Sequence, residues 1–62
     1  MTIMLLYENG LITDDTLVII RDDNFNELVS GEWYCDDVLI YGNCEIESFT
    51  WQDDEKIYVD LT

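Results

Sequence analysis

Sixty-two residues carry fifteen acids against two bases and no histidine, a formal charge of −13, with 48% of positions hydrophobic. That balance repels phosphate backbones and anionic bilayers and excludes direct binding to nucleic acid or membrane. Two cysteines without histidine exclude a zinc set and a disulfide framework.

The length allows one domain, residues 1–62, which buries only about 60% of the surface its unfolded chain exposes. Self-association, a homodimer, is the expected help. The hydrophobic content and two tryptophans mark a folded chain rather than an acidic tail. Met1 to Tyr7 has no basic region, and the apolar run Ile3–Tyr7 is too short for a secretion signal or a membrane span. A cytosolic protein with Cys35 and Cys44 as free thiols is expected.

Thr2 to Gly10 has two readings. As a helix, Thr2 caps it, Ile3, Leu6 and Tyr7 share a face, and Asn9-Gly10 ends it. As a strand, Ile3, Leu5 and Tyr7 alternate into an Asn-Gly hairpin turn. The helix is favoured, because Leu11-Ile12 then forms an apolar anchor before the break Thr13-Asp14-Asp15.

Thr16–Asp22, TLVIIRD, is β-branched and apolar on both faces, so it predicts a central strand. DDNF turns it, and Asn26–Trp33 returns as a second strand with a bulge or bend at Gly31. DDVLIYGN, residues 36–43, predicts an irregular or single-turn segment. Cys44–Gln52 and Lys56–Leu61 are the third and fourth strands, joined by the tight loop DDE.

In the last strand Ile57, Val59 and Leu61 alternate with Lys56, Tyr58 and Asp60, so one face is interior. Leu17 and Ile19, or Val18 and Ile20, would meet it. The third strand is less regular, since Phe49 and Trp51 share the parity of Glu45 and Glu47 and oppose Ile46. Either a bulge near Ser48 flips the register, or a second apolar face carries Phe49, Trp51 and Tyr58. The expected fold is α+β and β-dominated, a short N-terminal helix with a four-stranded antiparallel sheet.

The order of a helix, DDTLVIIRD, NELVSG and CEIESFTWQDDEKIYVDL resembles small acidic accessory proteins of Gram-positive prophages and integrative mobile elements. The likeness spans Asp14 to Leu61 and rests on hairpin grammar. It implies a mobile-element origin, hence the cytosol of a host cell, and carries no catalytic residue across.

The most distinctive feature is the aspartate doublet, repeated at Asp14-Asp15, Asp22-Asp23, Asp36-Asp37 and Asp53-Asp54. Aspartate suits turns because its carboxylate bonds the backbone that follows. That accounts for position but not for doubling, and surfaces built only for solubility usually mix signs. Carboxylates in rows at sheet ends can instead stand in for the phosphates of a duplex and occupy a basic groove. The expected partner is therefore a basic protein, a nucleic-acid-binding enzyme of the host such as a defence nuclease. The expected contact residues are Asp36, Asp37, Glu45, Glu47, Trp51, Asp53, Asp54 and Glu55.

Asp22, Asn24 and Asn26 have the opening spacing of a calcium loop. However, Glu27 replaces the turn glycine and Trp33 stands where the bidentate glutamate belongs, so no metal is expected. No cofactor or catalytic residue is expected either. There is no phosphate loop, no room for a substrate pocket, and Asp36 and Asp37 oppose ionisation of Cys35. The aromatics exceed what so thin a core needs, and the preferred use of Phe49, Trp51 and Tyr58 is a homodimer contact, ahead of a partner patch rimmed by Glu45 and Glu47. The alternative function is a dimeric structural or accessory phage protein whose acidity serves solubility alone.

Overall fold

Thr2 starts a helix rather than a strand. Its Oγ1 accepts the backbone N–H of Leu5 at 3.2 Å, which satisfies one of the donors that the first turn leaves free. The helix α1 spans Ile3–Glu8 and ends at Asn9, after which Gly10 takes φ +78°. Ile3 and Leu6 are its buried residues, and the N–H of Leu11 and of Ile12 turns back to the Leu6 carbonyl, leaving Ile12 buried.

The computed structural model describes residues 1–62. After α1 come β1 (Leu17–Arg21), β2 (Glu27–Gly31), α2 (Asp36–Leu39), β3 (Ile46–Trp51) and β4 (Lys56–Leu61). The architecture is α+β and strand-dominated, with a single four-stranded sheet in the order β2-β1-β4-β3. β1 is central, as its two apolar faces require.

The sheet is mixed, which corrects the antiparallel expectation. β1–β2 and β3–β4 are antiparallel hairpins, but β1 and β4 run parallel, in the register Val18↔Ile57, Ile19↔Tyr58 and Ile20↔Val59. The cause is the segment between the hairpins. The chain passes from the β2 edge through α2 to β3 at the opposite edge, the kind of crossover that lets the strands it joins run the same way. Once β3 runs with β2, β4 must run with β1.

The core follows from that register. Val18 and Ile20 lie beside Ile57 and Val59, and Ile3, Leu6, Ile12, Val38 and Ile46 pack over them, all buried. Val18 and Ile20, not Leu17 and Ile19, therefore face the core. Gly31 reaches φ +156° where α2 closes on β2, and an added Cβ there would lie 3.4 Å from Cys35 Sγ and from Val38 Cγ2. The bulge of β2 falls instead at Leu28, the extra residue between Val29 and Glu27 opposite Ile20 and Arg21.

Glu47 is the matching extra residue in β3, between Ile46↔Leu61 and Ser48↔Asp60. This bulge resolves the irregular parity. It lets Ile46, Phe49 and Trp51 share the core-side face, with Phe49↔Val59 and Trp51↔Ile57. Tyr58 points to the other side of the sheet, beside Ile19 and Thr50, so Phe49, Trp51 and Tyr58 do not form one face.

On that other side Arg21 and Asp60 face each other across the parallel step. Arg21 Nε and Nη2 donate to Asp60 Oδ1 and Oδ2 at 2.7 and 3.0 Å, and Ser48 Oγ donates to Oδ2 at 3.2 Å. The guanidinium lies 4.2 Å from the Tyr58 ring centroid and 5.1 Å from that of Phe25, which occupies the left-handed region at φ +65°.

Candidate partner-binding surface

The parallel step decides which charged loops meet. It sets the start of β1 beside the start of β4, and the Leu17 N–H donates to the Glu55 carbonyl at 2.7 Å. Asp14 and Asp15, which precede β1, therefore share one end of the sheet with Asp53, Asp54 and Glu55. Glu32, which follows β2, leaves the sheet at the same end, because Gly31 pairs with Val18.

Trp33 fastens this end. Its indole Nε1 donates to Asp14 Oδ1 at 2.8 Å, and its ring stacks on Tyr7 of α1 at 4.1 Å between centroids. Tyr34 packs edge-on against Trp33 and is half exposed. Partial desolvation, then the negative field of Glu32, Cys35, Asp14 and Asp15, holds its phenol above the ordinary tyrosine range. Tyr34 thus senses the charge gathered at this end.

The doublets divide their work. Asp22 Oδ1 accepts the backbone N–H of Asn24 and Asn26 at 2.8 and 2.9 Å; the Asn26 bond, ahead of the Asn24 bond, holds that carboxyl below the usual range despite some desolvation. Asp53 Oδ1 accepts from Glu55 and Lys56 at 2.8 and 3.0 Å, closing the β3–β4 turn. Asp14 holds Trp33. In each of these three doublets the first carboxylate is bonded, whereas the side chains of Asp15, Asp23 and Asp54 make no hydrogen bond and are exposed. Asp36 and Asp37 open the single turn of α2, and neither side chain is bonded. Turn chemistry explains Asp22 and Asp53, a tertiary bond explains Asp14, and Asp36 and the second member of every doublet are left without a side-chain hydrogen bond.

Of the fifteen acids, Asp60 is paired with Arg21 and Glu45 with the Met1 ammonium at 2.7 Å; the others have no ion pair, and Lys56 joins none. No three or more Cys, Asp and Glu side chains converge as a metal site. Cys35 is half-buried and Cys44 exposed, both as free thiols.

Among the expected contact residues, Trp51, Asp53 and Asp54 line one shallow open depression, with Glu55 next to it. Asp36 and Asp37 sit on the helical side, close to where Cys35 packs on Gly31. Glu45 and Glu47 lie at the far end of β3 from that depression, so they do not rim it; six extended residues separate the ends by roughly 17 Å. Asp14, Asp15 and Glu32 lie outside the expected contact set; the doublet marks Asp14 and Asp15 locally, but only the strand register brings them and Glu32 to this end. No helix is long and apolar enough to cross a membrane. Comparison of the chain with protein-family models, with curated proteins and with solved structures finds no match.

Proposed function

We propose that this chain is an acidic binding protein that occupies the basic groove of a nucleic-acid-binding host protein, in place of a phosphate backbone. The observation that carries this reading is the second carboxylate of the doublets. Asp15, Asp23, Asp37 and Asp54 are exposed and unbonded in a chain whose charge is not balanced internally. Like charges kept without internal use lower the stability of the compact state, and an oppositely charged partner offsets that cost. The reading includes the mobile-element origin and the host cytosol implied by the resemblance, and a target such as a defence nuclease.

The test is an affinity capture from host lysate at low and high salt, followed by measurement of the captured protein with the parent chain. Replacing Asp15, Asp23, Asp37 and Asp54 by Asn should weaken binding and flatten the dependence of log affinity on log salt. Variants that bind as tightly as the parent with the same salt slope sink the proposal.

The second reading is a dimeric accessory protein whose acidity serves solubility. Its support is Trp51, 40% exposed on the edge strand β3 with Phe49 two residues before it. Sedimentation at increasing concentration separates the two, since only this reading requires a dimer that Trp51→Ser dissolves.

A further inference from the structure

The outer face of α2 sets two consecutive exposed apolar side chains beside two unbonded carboxylates. Val38 is fully buried and anchors the turn to β2 and the core, which turns its neighbours outward. Ile40 is 72% exposed, the most exposed large apolar residue, and Leu39 is 41% exposed. Helical spacing sets Ile40 next to both Asp37 and Asp36, three and four residues earlier, and the Ile40 N–H donates to the Asp36 carbonyl at 3.3 Å.

Met4 of α1 packs at the turn that follows α2. Its N–H donates to the Gly42 carbonyl at 3.2 Å, and its side chain lies against the turn after α2, where a Cβ at Gly42 would sit 3.3 Å from Met4 Cγ. Leu39 and Ile40 are thus exposed beside two unbonded carboxylates, and the half-buried Met4 lies against the turn that follows them.

Charge selects the occupant. A second copy placed symmetrically on this face would set Asp36 and Asp37 near their own counterparts, between chains of charge −13 each. An anionic bilayer is repelled for the same reason. A basic segment meets the carboxylates favourably, and one with an apolar side also covers Leu39 and Ile40.

We propose that the α2 face, Leu39 and Ile40 beside Asp36 and Asp37, seats a basic amphipathic helix of the partner protein. The proposal rests on the basic-partner reading above and adds the apolar contact, which turns general charge attraction into a located docking site.

The experiment titrates the full chain with two helix-forming peptides of equal length and charge, one built of Leu and Lys, the other with every Leu replaced by Ser. The Leu/Lys peptide should bind about tenfold more tightly at moderate salt. Leu39→Ser with Ile40→Ser should bring the two peptides to within about twofold, with an unchanged circular dichroism spectrum showing that the fold is kept. Ile40→Ser alone, at the more exposed position, should narrow the difference in the same direction. The distant change Asp54→Asn should weaken both peptides equally. Equal binding of the two peptides to the parent overturns this inference while leaving the charge-based reading intact. A preference that survives in the double variant also overturns it, by putting the apolar seat elsewhere. Failure of both peptides to bind at low salt overturns both proposals. Self-association of the parent that the double variant abolishes makes a second copy the occupant and overturns this one.

Discussion

Arg21 holds Asp60 through two hydrogen bonds across the only parallel step of the sheet, and the two partners are unequally buried. Side-chain exposure is 21% for the arginine and 5% for the aspartate. Losing the arginine strands the more buried charge, which is the costlier orphan. Arg21→Met should therefore lower the melting temperature by about 10 °C, roughly twice the loss in Asp60→Asn. The double change Arg21→Met with Asp60→Leu should recover part of it. Equal losses in the two single variants would mean that exposure does not set the cost.

The division of labour within the doublets gives a paired comparison. Asp53→Ala and Asp22→Ala remove turn bonds and should each lower the melting temperature by about 5 °C. Asp54→Ala and Asp23→Ala remove only repulsion and should leave it unchanged or raise it. For Asp22 the pH dependence has a definite sign. Its folded pKa is lowered, so its contribution is present above the ordinary aspartate value and fades as pH falls through the lowered one. The gap between parent and Asp22→Ala should close in acid below about pH 4.

Tyr34 offers a direct reading of the gathered charge. Its phenol is held above the ordinary range by partial desolvation and then by Glu32, Cys35, Asp14 and Asp15. Asp15→Asn should move its titration, followed by NMR, back toward the usual value. Because the folded pKa is the higher one, the Tyr34 contribution to stability is whole below about pH 10 and is lost as pH rises through the folded value. A Tyr34 titration indifferent to Asp15 and Glu32 would contradict the convergence of these loops.

The bulge at Glu47 makes an unusual deletion tolerable. Ser48 faces the Arg21 side and Ile46 the core, so removing the residue between them restores regular alternation without turning Ile46 outward. The chain lacking Glu47 should keep its fold by circular dichroism. Deletion of Phe49 shifts everything before Thr50 by one position and should unfold it.

Local grammar was enough for most of the elements. The β-branched run Leu17–Ile20 and the alternation Ile57–Val59–Leu61 encode their structure within a few residues, whereas Thr2–Gly10 fits a helix and a strand alike until the Thr2 cap and the burial of Ile3 and Leu6 decide it. Strand direction is different in kind. Alternation is the same read forwards or backwards, so nothing in Val18 or Val59 says that their strands run parallel. The contact surface inherits that limit. Trp51, Asp53 and Asp54 are neighbours through a single hairpin and were legible, whereas Asp14 and Asp15 join them only through the parallel step. The split of Glu45 and Glu47 from that end follows from strand length, which the sequence does contain.

The same parallel step orders events in time. Each hairpin closes over a short loop, on the microsecond scale, but neither two-stranded unit is stable alone. Arg21 and Asp60 stand 39 positions apart and meet only when the two hairpins come together. Formation of the native sheet is then limited by docking of the halves rather than by either turn. β4, last of the strands in chain order, fills an inner place in the sheet. A growing chain on the ribosome therefore cannot complete the sheet until Leu61 has left the exit tunnel, because β1 and β3 both pair with β4.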